Sequence, residues 1–186
     1  MQRRQFQAFA FFAALSGGTA RADDLWLPRL REGRCAVLLR HGQTTPGIGD
    51  PPGFQLGACG TQRNLSDEGQ AASRRLGAWF RQRGLAPQAV RSSAWCRCKD
   101  TADLAFGQHV VWEPLNSTFD DARRSAAAAE GTAALRAALG AIPAGRFEVW
   151  VTHQVNITAL TGEFVQMGEG LLVDAAGAVR GRSRFG

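Results

Sequence analysis

The chain has 186 residues, of which 45% are hydrophobic and 20% are charged, a composition typical of one globular domain and not of two. Its formal net charge of +6 would suit an anionic partner, but three of its arginines lie in the first 22 residues, which carry no acid. The remaining basic residues form no run and no aromatic-rich stripe, so no nucleic-acid-binding surface is predicted.

The first 22 residues are typical of a secretion signal. The arginine pair Arg3-Arg4 precedes an apolar run at residues 8–15, and Ala20-Arg21-Ala22 fits an A-x-A cleavage site. We expect residues 1–22 to be removed after export to the periplasm or beyond, by the Sec or the twin-arginine route, leaving one domain at 23–186. A buried amphipathic helix is the alternative for this segment. Elsewhere no segment is long or apolar enough to span a membrane.

Four cysteines lie in the mature part, where export would allow disulfides. Cys35 starts a predicted buried strand and is expected to be a core residue. Cys59 lies in a predicted loop, and we expect it to bridge to Cys96 or Cys98, which are awkward partners for each other on a helix. The C-x-C spacing would alternatively suit metal or redox chemistry, but no second pair with zinc-site spacing supports it.

Apolar periodicity and turn residues predict alternating strands and helices along the mature chain. In chain order they predict a buried strand at 34–39, a long functional loop at 42–66, a helix capped by Ser66 and stopped by Gly84, a strand at 89–92, a helix at 95–106, a strand at 110–112, a helix from about 121 to 139, a strand at 147–152, a helix at 155–161 and a hairpin at 171–182. This order predicts the α/β class, a three-layer α/β/α sandwich with a mostly parallel central sheet.

Ligands of such sheets bind beyond the carboxyl ends of the strands, and two histidines follow the two most apolar strands. His41 lies in Arg40-His41-Gly42-Gln43-Thr44, where one ring nitrogen can face a site while a backbone carbonyl holds the other. A neutral imidazole is a competent nucleophile toward phosphorus, and the guanidinium of Arg40 can neutralise a phosphate. Gly42 allows the backbone to turn sharply and approach a ligand closely. An ordinary strand end with a half-exposed histidine is the alternative for these five residues.

Two further segments carry residues suited to phosphate. Arg97 falls in the first turn of the helix that Ser93 caps, where backbone N–H groups favour an anion. His153 follows the strand at 147–152 and can donate to a phosphoryl oxygen. Taken singly, these two would more often be a surface arginine and a structural histidine, and His109, which precedes a strand, is expected at the surface.

Together these segments resemble the histidine phosphatase superfamily, whose fold is that of phosphoglycerate mutase. The motifs that carry the resemblance occur in the family's order: L-L-R-H-G-Q-T at 38–44, N-L-S-D-E-G at 64–69, S-x-x-x-R-x-x-x-T-A at 93–102 and T-H at 152–153. The resemblance covers essentially all of the mature chain. It implies a phosphatase that acts on a small phosphorylated substrate and needs no metal or other cofactor.

The resemblance also implies a role for individual residues. His41 would attack phosphorus and carry the phosphoryl group, and the phosphate pocket would be formed by Arg40, Arg97 and His153. The candidates for substrate contact border this pocket in the loop: Thr44, Gln62, Arg63 and Asn64.

The general acid is the position at which this sequence departs from the family. The commoner branch has the glutamate of a Leu-x-Glu element after the third strand, where Ser117 stands here, and the acid-phosphatase branch has an acid where Gln154 stands. Glu113, Asp120 and Asp121 remain as candidates, although a surface charge or a helix cap would explain each of them. Without an acid, the enzyme would favour substrates with good leaving groups, such as phosphohistidine or anhydrides.

A looser likeness, carried by the glycine- and proline-rich loop and by Gln154-Val155-Asn156, is to exported relatives of the lipopolysaccharide core heptose phosphatases. It implies an envelope phosphosugar as substrate. The alternatives are a non-catalytic phosphate-binding protein, a phosphohistidine phosphatase, a redox or metal protein built on Cys96-Arg97-Cys98, and a mutase, although the chain lacks the large insertions with which phosphoglycerate mutases enclose their substrate.

Overall fold

The computed structural model describes residues 26–119 and 124–185, so the predicted leader at 1–22 lies outside the described residues. The described residues form five α-helices: α1 (Trp26–Glu32), α2 (Asp67–Gln82), α3 (Cys96–Phe106), α4 (Arg124–Ala141) and α5 (Gln154–Thr161). They also form six strands: β1 (Cys35–Arg40), β2 (Ala89–Ser92), β3 (Val110–Val111), β4 (Phe147–Thr152), β5 (Gly170–Asp174) and β6 (Val179–Ser183). Short 3-10 turns lie at Cys59–Thr61 and Glu113–Leu115. Within these ranges no helix combines the length and the apolar character that a bilayer crossing requires.

One six-stranded sheet lies at the centre, in the order β3-β2-β4-β1-β5-β6. Strands β1 to β4 are parallel to one another, and the hairpin predicted near the C-terminus forms an antiparallel edge of β5 and β6. Helices pack on both faces of the sheet. The predicted α/β class with a mostly parallel central sheet is therefore confirmed.

The alternation of side chains along β1 divides the core into two layers. Val37 and Leu39 pack with α1, α2 and α3, whereas Ala36 and Leu38 pack with α4 and α5 on the other face. Strand side chains point alternately to opposite faces, and a strand covered on both faces must be apolar at every position. For this reason the uninterrupted apolar run of β1 was recognisable from the sequence.

Helix α2 begins and ends at the predicted residues. The Ser66 hydroxyl accepts a hydrogen bond from the Gly69 N–H at 3.1 Å, and Asp67 and Glu68 occupy the first turn, where the helix dipole favours acids. Gly84 follows the helix with a φ of 62°, a left-handed conformation that glycine adopts without strain.

Helix α1 was not predicted. It has seven residues, which is too short for a clear apolar period, and it has no acid in its first turn. Its stability comes from packing, because Trp26 and Leu30 are each 1% exposed and the Trp26 ring lies edge-on to Phe185 at a centroid distance of 5.1 Å. Tertiary contacts therefore form a helix here that local sequence signals do not indicate.

The strand order brings the two predicted histidines together. Because β1 and β4 are adjacent and parallel, with Arg40 paired to Thr152, the residues that follow them leave the sheet at the same edge. The rings of His41 and His153 lie 5.4 Å apart between centroids, at an angle of 65°.

Candidate active site

His41 is held at the carboxyl end of β1 with one ring nitrogen already engaged. Its Nδ1 lies 2.9 Å from the Gly42 carbonyl oxygen. Since a carbonyl can only accept, Nδ1 carries the proton, and the lone pair is on Nε2. The His41 backbone N–H donates to the Thr152 oxygen at 3.1 Å, and the residue is 3% exposed, so both backbone and ring are fixed.

Gly42 is favoured by the close approach of α2, and the close approach to a ligand stays a prediction. A Cβ at this position would lie 3.0 Å from the Ser73 Oγ and 3.1 Å from the Gly69 oxygen. The Gly42 N–H donates to the Thr101 Oγ1 at 2.9 Å, and that hydroxyl donates to the Arg97 oxygen at 2.7 Å. Thr101 thus joins the backbone beside His41 to helix α3.

His153 lies across from His41 and is 4% exposed. Its Nε2 lies 2.8 Å from the Ser93 Oγ, and the Trp95 ring packs against the imidazole at a centroid distance of 5.2 Å. Nδ1 is therefore the ring nitrogen left for a ligand. When the Ser93 hydroxyl donates to Nε2, Nδ1 carries the proton and can donate to an anion.

Both imidazoles are held neutral. Burial, followed by the charges of Arg97, Arg40 and Arg63, lowers the pKa of His41 to about 3. Burial, followed by the neighbouring His41 and the same arginines, also lowers the pKa of His153. At neutral pH the site therefore offers an unprotonated nitrogen nucleophile within a cationic surrounding.

A cavity of about 340 Å³ opens beside the two histidines, and three arginines line it. Among the described residues each guanidinium makes its hydrogen bonds through Nη1 alone: Arg40 to the Val165 oxygen at 2.8 Å, Arg63 to the Thr44 Oγ1 at 2.7 Å and to the Gly47 oxygen at 2.9 Å, and Arg97 to the Asp50 Oδ1 at 2.7 Å and the Arg63 oxygen at 3.4 Å. Their Nε atoms are buried without a partner in the described structure. The cavity therefore holds guanidinium donors in excess of protein acceptors, a surplus that an oxyanion would satisfy.

Asp50 belongs to this site although it was not among the predicted site residues. Its side chain is 2% exposed, and it accepts from the Arg97 Nη1, from the Trp95 Nε1 at 2.9 Å and from the Arg63 N–H at 2.9 Å. Burial raises the pKa of this carboxyl, but the three donors outweigh burial and hold the pKa below its usual value. Asp50 is thus an anion that orients Arg97. A signal existed in the sequence, because Asp50 is the single acid between residues 42 and 64.

A disulfide fastens the loop that carries Asp50 to helix α3. Cys59 is bonded to Cys96, which confirms the expected bridge and places it one residue before Arg97. Gln62 reinforces the connection by accepting from the Cys96 N–H at 2.9 Å. The other cysteine of the C-x-C motif, Cys98, is a buried free thiol whose pKa is raised to about 12 by its burial, so the two do not act as a dithiol.

The structure separates the predicted substrate-contact residues. Arg63 lines the cavity, whereas Thr44 supports it by accepting from the Arg63 Nη1. Gln62 braces the loop through the Gln55 and Leu56 oxygens, and the Asn64 Nδ2 donates to the Cys59 oxygen at 2.7 Å.

Of the three candidate acids the structure describes one, Glu113, and it does not line the cavity beside the histidines. Glu113 is exposed and lines a neighbouring cavity, while Asp120 and Asp121 lie outside the described residues. Ser117 lines the cavity beside His41. Among the described lining residues Asp50 is the one carboxylate. His109 was expected at the surface and is partly exposed. Its Nδ1 lies 2.6 Å from the Asp103 Oδ1, outside the cavity.

Comparison with known proteins agrees with this geometry. The sequence model of the histidine phosphatase superfamily (branch 1) matches residues 36–121, which include all but the first residue of β1, the loop at 42–66, α2 and α3. No curated protein matches the chain significantly.

Several solved structures share the fold. The chain is 15% identical to SixA, a protein histidine phosphatase solved with tungstate, with a TM-score of 0.55 over 80% of this chain and 95% of that one. It is 18% identical to a candidate alpha-ribazole-5'-P phosphatase from Escherichia coli, with a TM-score of 0.58 over 82% and 98%. It is 21% identical to phosphoglycerate mutase from Thermus thermophilus, with a TM-score of 0.53 over 80% and 97%. At these identities the likeness is one of fold alone.

Proposed function

Because residues 36–121 match the sequence model of the histidine phosphatase superfamily (branch 1), we propose that the chain is a member of that superfamily and hydrolyses phosphomonoesters through a phosphohistidine intermediate on His41. The observation that carries the proposal is the pairing of a neutral imidazole with three arginines whose donors exceed their protein acceptors. Together with Asp50, the three arginines of the described lining leave two positive charges. These match the two negative charges of a phosphomonoester dianion.

In the first step the His41 Nε2 attacks phosphorus, the P–N bond forms and the bond to the leaving oxygen breaks. The Gly42 carbonyl, which accepts from Nδ1, stabilises the imidazolium that results. Arg40, Arg97 and His153 donate to the equatorial oxygens, where negative charge must be held through the transition state. In the second step water attacks phosphorus, the P–N bond breaks, and inorganic phosphate leaves with His41 neutral again.

The leaving oxygen needs a proton, and Asp50, the one carboxylate among the described lining residues, is a poor source of one because it is ionised and held by three donors. This observation favours a second candidate function, the hydrolysis of phosphohistidine or acyl phosphates, whose leaving groups depart without a strong acid. The two candidates share the His41 chemistry and differ in how steeply the rate depends on leaving-group acidity.

The test is hydrolysis of an aryl phosphate by residues 23–186, with a chelator present, comparing the wild type with His41→Ala and His109→Ala. We expect activity that resists the chelator, is lost in His41→Ala and is retained in His109→Ala, because His109 pairs with Asp103 away from the cavity. A folded wild type that binds phosphate but turns over neither aryl nor acyl phosphate would contradict the proposal and leave a phosphate-binding protein. Product analysis separates hydrolysis from transfer to a second hydroxyl, the outcome expected of a mutase.

We also propose that residues 1–22 direct export and are removed, so that the enzyme meets its substrate, such as an envelope phosphosugar, outside the cytoplasm. The Cys59–Cys96 disulfide supports this location, since disulfides persist in oxidising compartments. Mass spectrometry of the protein from its native host should give a chain beginning at Asp23 in the periplasmic or secreted fraction. An uncleaved chain beginning at Met1 in the cytoplasm would contradict it.

A further inference from the structure

A second cavity, of about 480 Å³, adjoins the one beside His41. Trp95, Ser117 and Val155 line both cavities, so the two meet at these side chains. The remaining walls come from the segment at 113–118 and from helices α4 and α5. Its volume lies within the range of about 300–1,000 Å³ that small-molecule sites occupy.

Helix α4 leaves this space open because its residues there are small. Ala127, Ala128 and Gly131 face the cavity, and a Cβ at Gly131 would lie 3.5 Å from the Pro114 oxygen, an ordinary contact distance. A methyl group therefore fits at this position. A longer side chain would occupy the space itself.

Asn156, in the wall of the cavity, has an unsatisfied hydrogen-bond acceptor. The residue lines the cavity and is 9% exposed, and its Nδ2 donates to the Pro114 oxygen at 3.2 Å and the Asn116 oxygen at 2.9 Å. Because carbonyls only accept, these two bonds fix the orientation of the amide. The Asn156 Oδ1 is then buried with no partner in the described structure. An O–H or N–H on a bound group would satisfy it.

The described lining of this cavity carries a charge opposite to that of the described lining beside His41. Two carboxylates, Glu113 and Glu130, line it, and none of the lining side chains that the structure describes is basic. A group with its own phosphate or carboxylate would therefore meet like charge here. A neutral or cationic group would not.

We propose that this second cavity binds the leaving group of the substrate, and that it selects a group that carries O–H or N–H donors and no negative charge. The inference rests on the proposed function, since the phosphoryl group must bind beside His41 for the leaving group to reach the border at Trp95, Ser117 and Val155. It adds Asn156 and Glu130 as specificity-determining residues.

The test uses phenyl phosphates of similar leaving-group acidity that differ in one meta substituent: hydroxymethyl, aminomethyl, methyl or carboxylate. Acetyl phosphate is the reference, because its leaving group is too small to fill the second cavity. We expect kcat/KM for the hydroxymethyl and aminomethyl compounds to exceed that for the carboxylate by about tenfold or more, the effect of one hydrogen bond or one screened charge pair. Glu130→Gln should narrow this ratio, and Glu130→Lys should narrow it further.

Gly131→Leu and Gly131→Ala form the matched pair of variants. Leucine should lower kcat/KM for all four aryl phosphates by about tenfold or more and leave acetyl phosphate within about twofold, whereas alanine should change neither. The inference is overturned if acetyl phosphate is hydrolysed but Gly131→Leu leaves the aryl phosphates unchanged, or if the carboxylate compound is not discriminated against.

Failure of the proposed function has a different signature. In that case the wild type hydrolyses neither acetyl phosphate nor any aryl phosphate, and the leaving-group assignment falls with it. Circular dichroism of each variant confirms that a loss of aryl phosphate hydrolysis is not a loss of fold.

Discussion

The structure predicts how much stability the protein loses when the Cys59–Cys96 disulfide is removed. The two cysteines are 37 residues apart, and in the chain-entropy model closure of a loop of this length stabilises the fold by about 4 kcal/mol at 25 °C. For a domain of this size that corresponds to a fall in Tm of about 8–16 °C. The enclosed segment includes Arg63, Asp50 lies nine residues before Cys59 in the same loop, and Arg97 directly follows Cys96. We therefore also expect KM for an aryl phosphate to rise as the cavity walls loosen.

The assay is urea and thermal unfolding of the wild type with and without reductant, beside Cys59→Ala/Cys96→Ala. Reduced wild type and double variant should unfold alike, and reductant should not affect the variant. Cys35→Ala, which removes a free thiol, should keep the full response to reductant. The reasoning is refuted if reduction costs less than about 1 kcal/mol, or if the double variant still responds.

Three further outcomes follow from the same geometry. Because the pKa of His41 is about 3, the nucleophile stays unprotonated above that pH. After correction for substrate ionisation, kcat/KM should therefore not fall in acid with a pKa near 6.5. A fall with a pKa of 6–7 that belongs to the enzyme would contradict this. Gly77→Ala should lower the free energy of unfolding in urea by about 1–3 kcal/mol, because its Cβ would clash with the Ala105 backbone oxygen. Gly131→Ala should raise it by about 0.5–1 kcal/mol, and equal effects of the two substitutions would refute the packing argument. The pKa of Asp50 is lowered in the fold, so its ionisation stabilises the fold above its unfolded pKa of about 3.9, and this stabilisation is lost as the pH falls through the folded pKa. The free energy of unfolding that Asp50→Asn loses should therefore be largest at neutral pH and smaller in acid. A loss that does not depend on pH would contradict this.

The sheet and most helices were predictable because their signals are local. The strand at 147–152 and the cap at Ser66 depend on residues within a few positions of each other, and the structure has both. Helix α1 was missed because its formation depends on Trp26 packing against Phe185, at the far end of the chain. Contacts of that separation leave no periodic signal.

The residues of the candidate site were likewise predictable only where their signals are local. His41 and His153 were identifiable because each follows an apolar strand, and parallel neighbours bring strand ends together. Asp50 was not identified, since Gly49-Asp50-Pro51 has the composition of a turn and the Arg97 partner lies 47 residues away. The second cavity was likewise invisible, because an alanine-rich helix predicts nothing about the space opposite it.

The central claim is a covalent phosphoryl group on His41, and trapping it is the most direct measurement. Wild type, His41→Ala and His109→Ala are mixed with a radiolabelled aryl phosphate, quenched in alkali within milliseconds and digested for mass spectrometry. The account predicts an acid-labile, alkali-stable phosphate on the peptide that contains His41, in the wild type and in His109→Ala and not in His41→Ala. Label on another residue, or turnover in His41→Ala at the wild-type rate, would contradict it.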